Sequence, residues 1–302
     1  MIRSYKDLYS SYKNKNKKLI HLNFLRKFIT TDSNVYIDKK TGIIRSGLKH
    51  DSKGIAKYWD VIFKKNKTKK QTYNPSLPFS KSRLYYVLLT ALDFIKNKKI
   101  KKNKIKICDY ATGQGYFLEM AARFLKTKQI SATENSFELC KLLKKKYEVH
   151  NTCLGIDISK KKIQMIFKKK PNFGFLSWTL CNCIDPIEVL KDIHASLDKE
   201  SYLCVAESSR ILVPFKKKIN EYFNKKIIQD AHPFHFSKNS LTNLLLISGF
   251  KPVFYNHYKD SDVLLIIAKK TNTIKKNGYI CDNPNQVLNF MKAWDKYSKI
   301  FK

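Results

Sequence analysis

Long apolar runs and glycine are both scarce in this chain of 302 residues, which contains only nine glycines. The longest uninterrupted aliphatic stretch, residues 263–268, is far shorter than the roughly 20 residues that a transmembrane helix needs. The lysine-rich N-terminus also lacks the apolar region of about 7–15 residues that a secretory signal contains. We therefore expect a cytoplasmic protein without a transmembrane segment.

The seven cysteines include no C-x-x-C pair, and an odd number is a poor basis for a disulfide framework. Cys181 and Cys183 form a C-x-C without a second pair at metal-ligand spacing, so no zinc site is expected. Reduced and mostly packed thiols are the default interpretation.

Acidic residues are also few, 24 against 60 basic ones, which gives a formal net charge of +36. Only six of the basic residues are arginine, a skew that an AT-rich coding background would produce. The excess is uneven, because residues 1–106 carry a net charge of +22 whereas residues 107–210 carry +4. Such a basic part can meet nucleic acid, an anionic membrane surface or an acidic glycan, although lysine runs are more often solvated faces.

Short apolar runs alternate with helical patterns from residue 105 onward, which is typical of βαβ units around a parallel sheet. We predict strands at the five runs 105–109, 130–134, 149–154, 173–180 and 202–207. An antiparallel pair, 251–255 and 263–268, is expected to close the sheet. The pattern predicts a Rossmann-like, doubly wound α/β fold whose mostly parallel seven-stranded sheet has an antiparallel closing strand, plus a basic N-terminal extension.

Helix ends and domain limits can also be predicted. Asp185 and Pro186 suit the cap and first turn of one helix, and Ser240 is expected to cap another that Gly249 ends. Three parts are then expected. They are a basic N-terminal extension or small module (1–74), a main domain (75–270) and a C-terminal helical tail (271–302).

Two of the nine glycines lie close together in residues 107–119, ICDYATGQGYFLE, where the first strand turns into a helix. Gly113 and Gly115 allow a nucleotide-like ligand to approach the backbone and the helix N-terminus. The dinucleotide-binding pattern needs a third glycine where Leu118 stands, so the turn suits a nucleoside ligand without a pyrophosphate. Glu134, at the end of the second strand, can accept hydrogen bonds from both ribose hydroxyls.

These residues resemble the class I S-adenosylmethionine (SAM)-dependent methyltransferases over residues 75–268. The first motif of that family, an acid followed by x-G-x-G-x-G, matches Asp109, Gly113 and Gly115, with Ala111 replacing the first glycine. That replacement is tolerable if the backbone there need not adopt a positive φ. The resemblance implies that these four residues contact the cofactor.

The resemblance also implies further cofactor contacts, with Glu134 on the ribose, Asp157 as the adenine-side acid, and Trp178 near the end of the fourth strand. Many relatives read L-x-H-x-x-D-P there, and residues 180–186 keep this frame with Asn182 in place of the histidine. The implied reaction is in-line attack on the methyl group of SAM, which leaves S-adenosylhomocysteine (SAH).

Candidate catalytic residues occur in DAHPFHFS, residues 230–237, between the fifth strand and the next helix. His232 and His235 can act as general base if the acceptor is a hydroxyl or carbon acid, or they can pack against the neighbouring phenylalanines. Arg83 and Arg210 stand out because arginine is rare, and each can bind an anionic acceptor or form a structural ion pair.

The sequence limits the chemical class of the methyl acceptor only in part. Residues 185–188, DPIE, do not fit the (D/N)-P-P-(Y/F) motif of nucleic-acid amino-methyltransferases, and no Pro-Cys nucleophile of cytosine-C5 enzymes occurs. Segments 41–47, 58–59 and 73–78 resemble the front of bacterial sugar and polysaccharide methyltransferases, although the cysteine zinc module often found there is missing. We predict methyl transfer to a small molecule, sugar or surface glycan. The alternatives are an RNA methyltransferase using the basic N-terminal part and a non-catalytic SAM-binding scaffold.

Overall fold

The computed structural model describes residues 2–13, 18–29, 33–47, 51–65, 79–125, 129–156, 166–208, 211–214, 217–223, 231–256, 263–274 and 276–300. The strands are β1 (Ile2–Arg3), β2 (Leu19–His21), β3 (Val35–Asp38), β4 (Ile44–Ser46), β5 (Ile107–Tyr110), β6 (Ile130–Glu134), β7 (Glu148–Asn151), β8 (Phe173–Ser177), β9 (Tyr202–Ser208), β10 (Phe234–His235), β11 (Phe250–Tyr255), β12 (Val263–Lys270) and β13 (Tyr279–Ile280). The α-helices are α1 (Tyr5–Lys13), α2 (Ser52–Lys65), α3 (Phe79–Asn97), α4 (Tyr116–Leu125), α5 (Phe137–Leu143), α6 (Pro186–Ser196), α7 (Ile219–Phe223), α8 (Lys238–Ile247) and α9 (Pro284–Tyr297). Short 3-10 helices occur at Asn23–Phe28, Lys102–Lys104, Leu180–Asn182 and Ser298–Ile300.

Seven strands form the central sheet, in the order β11-β12-β9-β8-β5-β6-β7. The neighbours from β9 to β7 are parallel, whereas β12 runs antiparallel to both β9 and β11. The predicted Rossmann-like fold with an antiparallel closing strand is confirmed. The chain leaves β5 toward β6 on one side and later adds β8 on the other, and such a reversal opens a crevice at the carboxyl ends of the strands.

Helices cover both faces of this sheet, which explains why its central strands are buried along their whole length rather than at alternate residues. All four residues of β5 and all five of β6 are buried. On one face α3 and α4 pack with residues such as Val87 and Phe117, and on the other α6 and α8 pack with residues such as Leu190 and Leu244. No helix within the described ranges has the length and apolarity to cross a membrane.

Two element ends differ from the sequence prediction. β8 ends at Ser177 rather than at residue 180, because Trp178 adopts a φ of +52°, which lies outside the β region. The cap of α8 is Ser237 and not Ser240, since the Ser237 side chain accepts from the Ser240 N–H and Ser240 Oγ accepts from the Ser237 N–H. The prediction for α6 is confirmed, with Asp185 as its cap and Pro186 in its first turn.

A second sheet, in the order β10-β4-β3-β2, joins the N-terminal part to the loop that precedes α8. A core beneath it combines Leu25 and Ile37 with Trp294 of α9. β1 pairs with β13, so the N-terminal strand also contacts the part of the chain that precedes α9. The three-part division of the chain stays a prediction, and the structure adds that its first and last parts share this core.

Candidate functional site

A cavity of about 470 Å³ lies at the carboxyl ends of β5, β6, β7 and β8. Its volume falls within the roughly 300–1,000 Å³ that is usual for small-molecule sites. α2 and α3 form part of its wall. Most of the wall is apolar, and it includes Ile55, Ala56, Leu84, Leu154, Ile156 and Val189.

The turn after β5 forms one edge of the cavity through Ala111, Thr112 and Gly113. Three residues of this turn have positive φ, with values of +54° at Ala111, +58° at Gly113 and +77° at Gly115. Alanine at position 111 was expected to be tolerated only if the backbone there did not adopt a positive φ. The φ of +54° shows that this condition is not met. Left-handed backbone costs a residue with a Cβ roughly 1–2 kcal/mol, so Ala111 is strained. Gly115 does not line the cavity, and a Cβ there would clash with Leu143.

We expect Ala111→Gly to stabilise the protein by about 0.5–1 kcal/mol, because release of the strain exceeds the added entropy of the unfolded chain. Chemical denaturation of the two proteins measures this difference. Ala122→Gly on α4 is the matched control, and it should destabilise by about 0.5–1 kcal/mol because its backbone is helical. If Ala111→Gly were less stable than the wild type, the conclusion that the backbone at Ala111 is strained would be wrong.

Glu134 ends β6 and lines the cavity beside this turn. Its Oε2 accepts a hydrogen bond from the Gly113 N–H at 2.7 Å, and its Oε1 accepts one from the Ser136 N–H at 2.9 Å. Burial raises the pKa of Glu134, and the two backbone donors oppose that rise. The carboxylate is thus fixed at the cavity wall, where the sequence predicted a ribose-binding acid.

Asp109 is buried behind the turn and is not part of the cavity wall. It accepts a hydrogen bond from Thr112 Oγ1 at 2.5 Å. Burial raises its pKa to about 7, and the nearby Glu134 carboxylate adds to the rise. Asp109 therefore supports the shape of the turn, and a direct contact of this residue with a cofactor stays a prediction.

Trp178 and Arg83 meet on the opposite side of the cavity. The Arg83 guanidinium lies over the Trp178 ring, with Cζ 4.5 Å from the ring centroid. Both side chains donate to Ser208 Oγ, Arg83 Nη2 at 2.6 Å and Trp178 Nε1 at 3.0 Å. The structure thus brings five of the predicted residues around one cavity. They are Arg83, Ala111, Gly113, Glu134 and Trp178.

Glu207 is a functional candidate that the sequence reasoning missed. It is fully buried at the end of β9, and its Oε1 accepts from the backbone N–H groups of Thr179 and Leu180 at 3.0 and 2.7 Å. Burial raises its pKa to about 7. Because Thr179 lines the cavity, Glu207 holds the loop after β8 in place. An acid that ends an otherwise apolar strand is the sequence signal that could have identified it.

Asn182, which replaces the family's usual histidine, also fixes this loop. It lines the cavity, and its Nδ2 donates to the Trp178 carbonyl oxygen at 2.9 Å. Two hydroxyl groups of cavity-lining residues, Thr152 Oγ1 and Ser177 Oγ, are buried without a hydrogen-bond partner in the described part of the chain. A mainly apolar cavity with a fixed carboxylate and two such hydroxyls suits a nucleoside-like ligand.

Neither His232 nor His235 lines the cavity. His235 is 2% exposed, and its two ring nitrogens make hydrogen bonds with Ser46 Oγ and Tyr222 OH, both at 2.9 Å. Burial lowers the pKa of His232 to about 4 and that of His235 to about 3, so both rings are neutral at pH 7. His235 therefore joins the second sheet to α7, and a catalytic role for either histidine stays a prediction.

We expect His235→Ala to destabilise the protein by about 2–4 kcal/mol, because it opens a cavity and leaves buried polar groups without their partner. Denaturation measures this loss, and His232→Ala, at a half-buried site, is the comparison and should cost less. SAH affinity should stay within twofold in both variants. If either variant were as stable as the wild type but had a lower turnover, the catalytic role of that histidine would instead be supported.

Asp157, Arg210 and segment 73–78 lie outside the described residues.

No family model and no curated protein matches the chain. Solved structures do match it. The [4+2]-cyclase SpnF aligns with a TM-score of 0.51 and 10% identity, over 77% of this chain and 99% of that one. A second match is magnesium protoporphyrin IX methyltransferase (ChlM) from Synechocystis PCC 6803 with bound SAH. It aligns with a TM-score of 0.50 and 10% identity, over 73% of this chain and 100% of that one. The chain has the fold that the resemblance implied, and two different reactions occur on it.

Proposed function

We propose that this protein binds SAM in the cavity and transfers its methyl group to a small-molecule acceptor. The observation that carries the proposal is the buried Glu134 carboxylate, which is tied to the Gly113 N–H at the carboxyl end of the sheet. A structure of the same fold with bound SAH supports the choice of cofactor. The choice of a small molecule as the methyl acceptor rests on the size and apolar character of the cavity.

Glu134 would bind the ribose hydroxyls through charge-assisted hydrogen bonds, and the turn at Ala111 and Gly113 would allow the nucleoside close to the backbone. When bound, SAM supplies a methyl group on a positively charged sulfonium. Among the described lining residues Arg83 is the only basic one, and Glu134 and Asp185 are acidic, so the wall does not repel that cation.

The size and apolar character of the cavity support a small acceptor, or the terminal unit of a longer one such as a glycan. Rate acceleration would come mainly from holding the acceptor and the methyl group together in a water-poor site. The net charge of +22 on residues 1–106 favours the RNA alternative, whose binding would weaken steeply with salt. The scaffold alternative predicts SAM binding without turnover.

Methyl-tritiated SAM and three fractions of a cell extract separate these alternatives. We expect label to appear in the fraction of small metabolites and not in RNA or in high-mass glycan. Gly113→Arg is the control, and it should transfer no label because its side chain would fill the cavity beside Glu134. Label in RNA or in high-mass glycan would overturn the small-molecule acceptor, and bound SAM without transfer to any fraction would overturn the enzyme.

A further inference from the structure

We propose that Arg83 and Trp178, both held in place by Ser208, form the acceptor subsite, and that Arg83 binds the oxyanion, carboxylate or phosphate, of an otherwise apolar small molecule. The proposal rests on the proposed function, because it assigns the acceptor end of the same cavity. It replaces the predicted cofactor contact of Trp178 with an acceptor contact.

The position of the three residues separates them from the cofactor end. Glu134 ends β6 and Ser208 ends β9, and these strands are three places apart in the order β9-β8-β5-β6. Strands in a sheet are spaced by about 4.8 Å, so the two ends of the site lie on the order of 14 Å apart. A nucleoside bound at Glu134 would leave the end at Arg83 for the acceptor.

The hydrogen bonds of Ser208 define which groups the subsite can offer. Its Oγ accepts from Arg83 Nη2 and from Trp178 Nε1, which uses both acceptor positions of a hydroxyl. The single indole N–H of Trp178 is thereby used by Ser208. Arg83 contributes a planar guanidinium that lines the cavity, so the N–H donors of the subsite come from Arg83.

Trp178 is held in one orientation before any ligand arrives. Its backbone has a φ of +52°, its N–H donates to the Ala206 carbonyl at 2.7 Å, and its own carbonyl accepts from Asn182. The indole is covered by the Arg83 guanidinium, which restricts that side chain in turn. A guanidinium that is stacked on an indole fixed in this way binds its ligand with less loss of conformational freedom.

The charges around the cavity favour an anion at this end. A guanidinium matches the two oxygens of a carboxylate or phosphate with paired N–H donors. The two acids of the wall are engaged elsewhere, Glu134 by the Gly113 and Ser136 N–H groups and Asp185 by Lys13 at 3.1 Å. The remaining wall is mainly aliphatic and aromatic, which suits an apolar body on the acceptor.

Three probes that share one ring test the proposal. They are benzoate, phenyl phosphate and the neutral benzyl alcohol, each titrated calorimetrically into the SAH-saturated protein. We expect at least one acid to bind tenfold or more tightly than the alcohol, and the tighter acid identifies the oxyanion. Equal binding of all three probes would overturn the subsite.

Arg83→Gln should remove this preference, whereas Arg123→Gln, the same change at an exposed position on α4, should keep it. Arg83→Lys keeps the charge without the paired donors and should lower the preference severalfold, which covers the case in which Arg83→Gln does not fold. SAH affinity should change less than twofold in all three variants. A preference that survives in Arg83→Lys and Arg83→Gln at wild-type strength would show that Arg83 only packs against Trp178. Wild-type protein that fails to bind SAH would overturn the proposed function, and the probe titrations without SAH would still decide the subsite.

Discussion

Replacing Glu134 with glutamine is expected to weaken the binding of SAM and SAH by about 10- to 100-fold. A hydrogen bond to a charged group contributes about 1.5–3 kcal/mol, and glutamine keeps the shape of the side chain without the charge. Its single amide oxygen can also accept from only one of the two backbone donors, the Gly113 and Ser136 N–H groups. The turn and the ribose end of the cavity are thus affected together.

Isothermal calorimetry with SAH measures this loss, and a thermal melt of the variant shows that it folds. The matched control is Glu138→Gln, the same chemical change on the exposed face of α5, four residues along the chain. It should bind SAH as the wild type does. An affinity of Glu134→Gln within twofold of the wild type would remove this residue from the cofactor site.

The second large effect is on stability, to which the contribution of Glu207 and Asp109 should fall as the pH rises from about 4 to 7. The buried neutral His232 and His235 contribute in the opposite sense, because their pKa values are lowered to about 4 and 3. Burial raises the pKa of Glu207 from 4.5 and that of Asp109 from 3.8, both to about 7. In this window these two acids have released their protons in the unfolded chain but still bind them in the folded protein, so their contribution to stability decreases with increasing pH. Above pH 7 both carboxyl groups are ionised in the folded and in the unfolded protein. The whole free-energy cost of burying their two charges is then present.

Glu207→Gln should remove the Glu207 share of this cost. Its amide oxygen can accept the same hydrogen bonds from Thr179 and Leu180, and it carries no charge to bury. We expect the variant to be more stable than the wild type by about 3 kcal/mol at pH 8, since one pKa unit corresponds to about 1.4 kcal/mol, and equally stable at pH 4. Guanidinium denaturation at pH 4, 6 and 8 measures the difference.

Glu200→Gln is the control, because the Glu200 side chain is 81% exposed and the change removes no buried charge. It should change stability little at any of the three pH values. If Glu207→Gln were less stable than the wild type at pH 8, the carboxylate of Glu207 would be stabilised in its ionised form and the pH argument would be wrong.

The fold could be predicted because the sheet is covered on both faces, which leaves continuous apolar runs separated by helical patterns. The cofactor end could be predicted for a related reason. Glycine is rare in the chain, so Gly113 and Gly115 before a strand that ends in Glu134 form a conspicuous spacing. These features depend on neighbours in sequence, which a single sequence displays.

The remaining features depend on contacts between distant segments. Nothing local shows that Ala111 takes a positive φ or that Glu207 accepts from the loop after β8. The pairing of β10 with β4 places His235 away from the cavity wall. This pairing joins distant segments, because His235 and its hydrogen-bond partner Ser46 are 189 positions apart in the sequence. Arg83 was predicted to bind an anion because arginine is rare, and its stacking on Trp178 became visible only in the folded chain.

The central claim is that the cavity at the carboxyl ends of β5 and β6 binds SAM. Calorimetric titration of the wild-type protein with SAH tests it most directly. We predict saturable binding with one site per chain, and loss of that binding in Gly113→Arg, where a long side chain would enter the cavity from a backbone with a φ of +58°. Absence of binding to the wild type, or equal binding to both proteins, would contradict it.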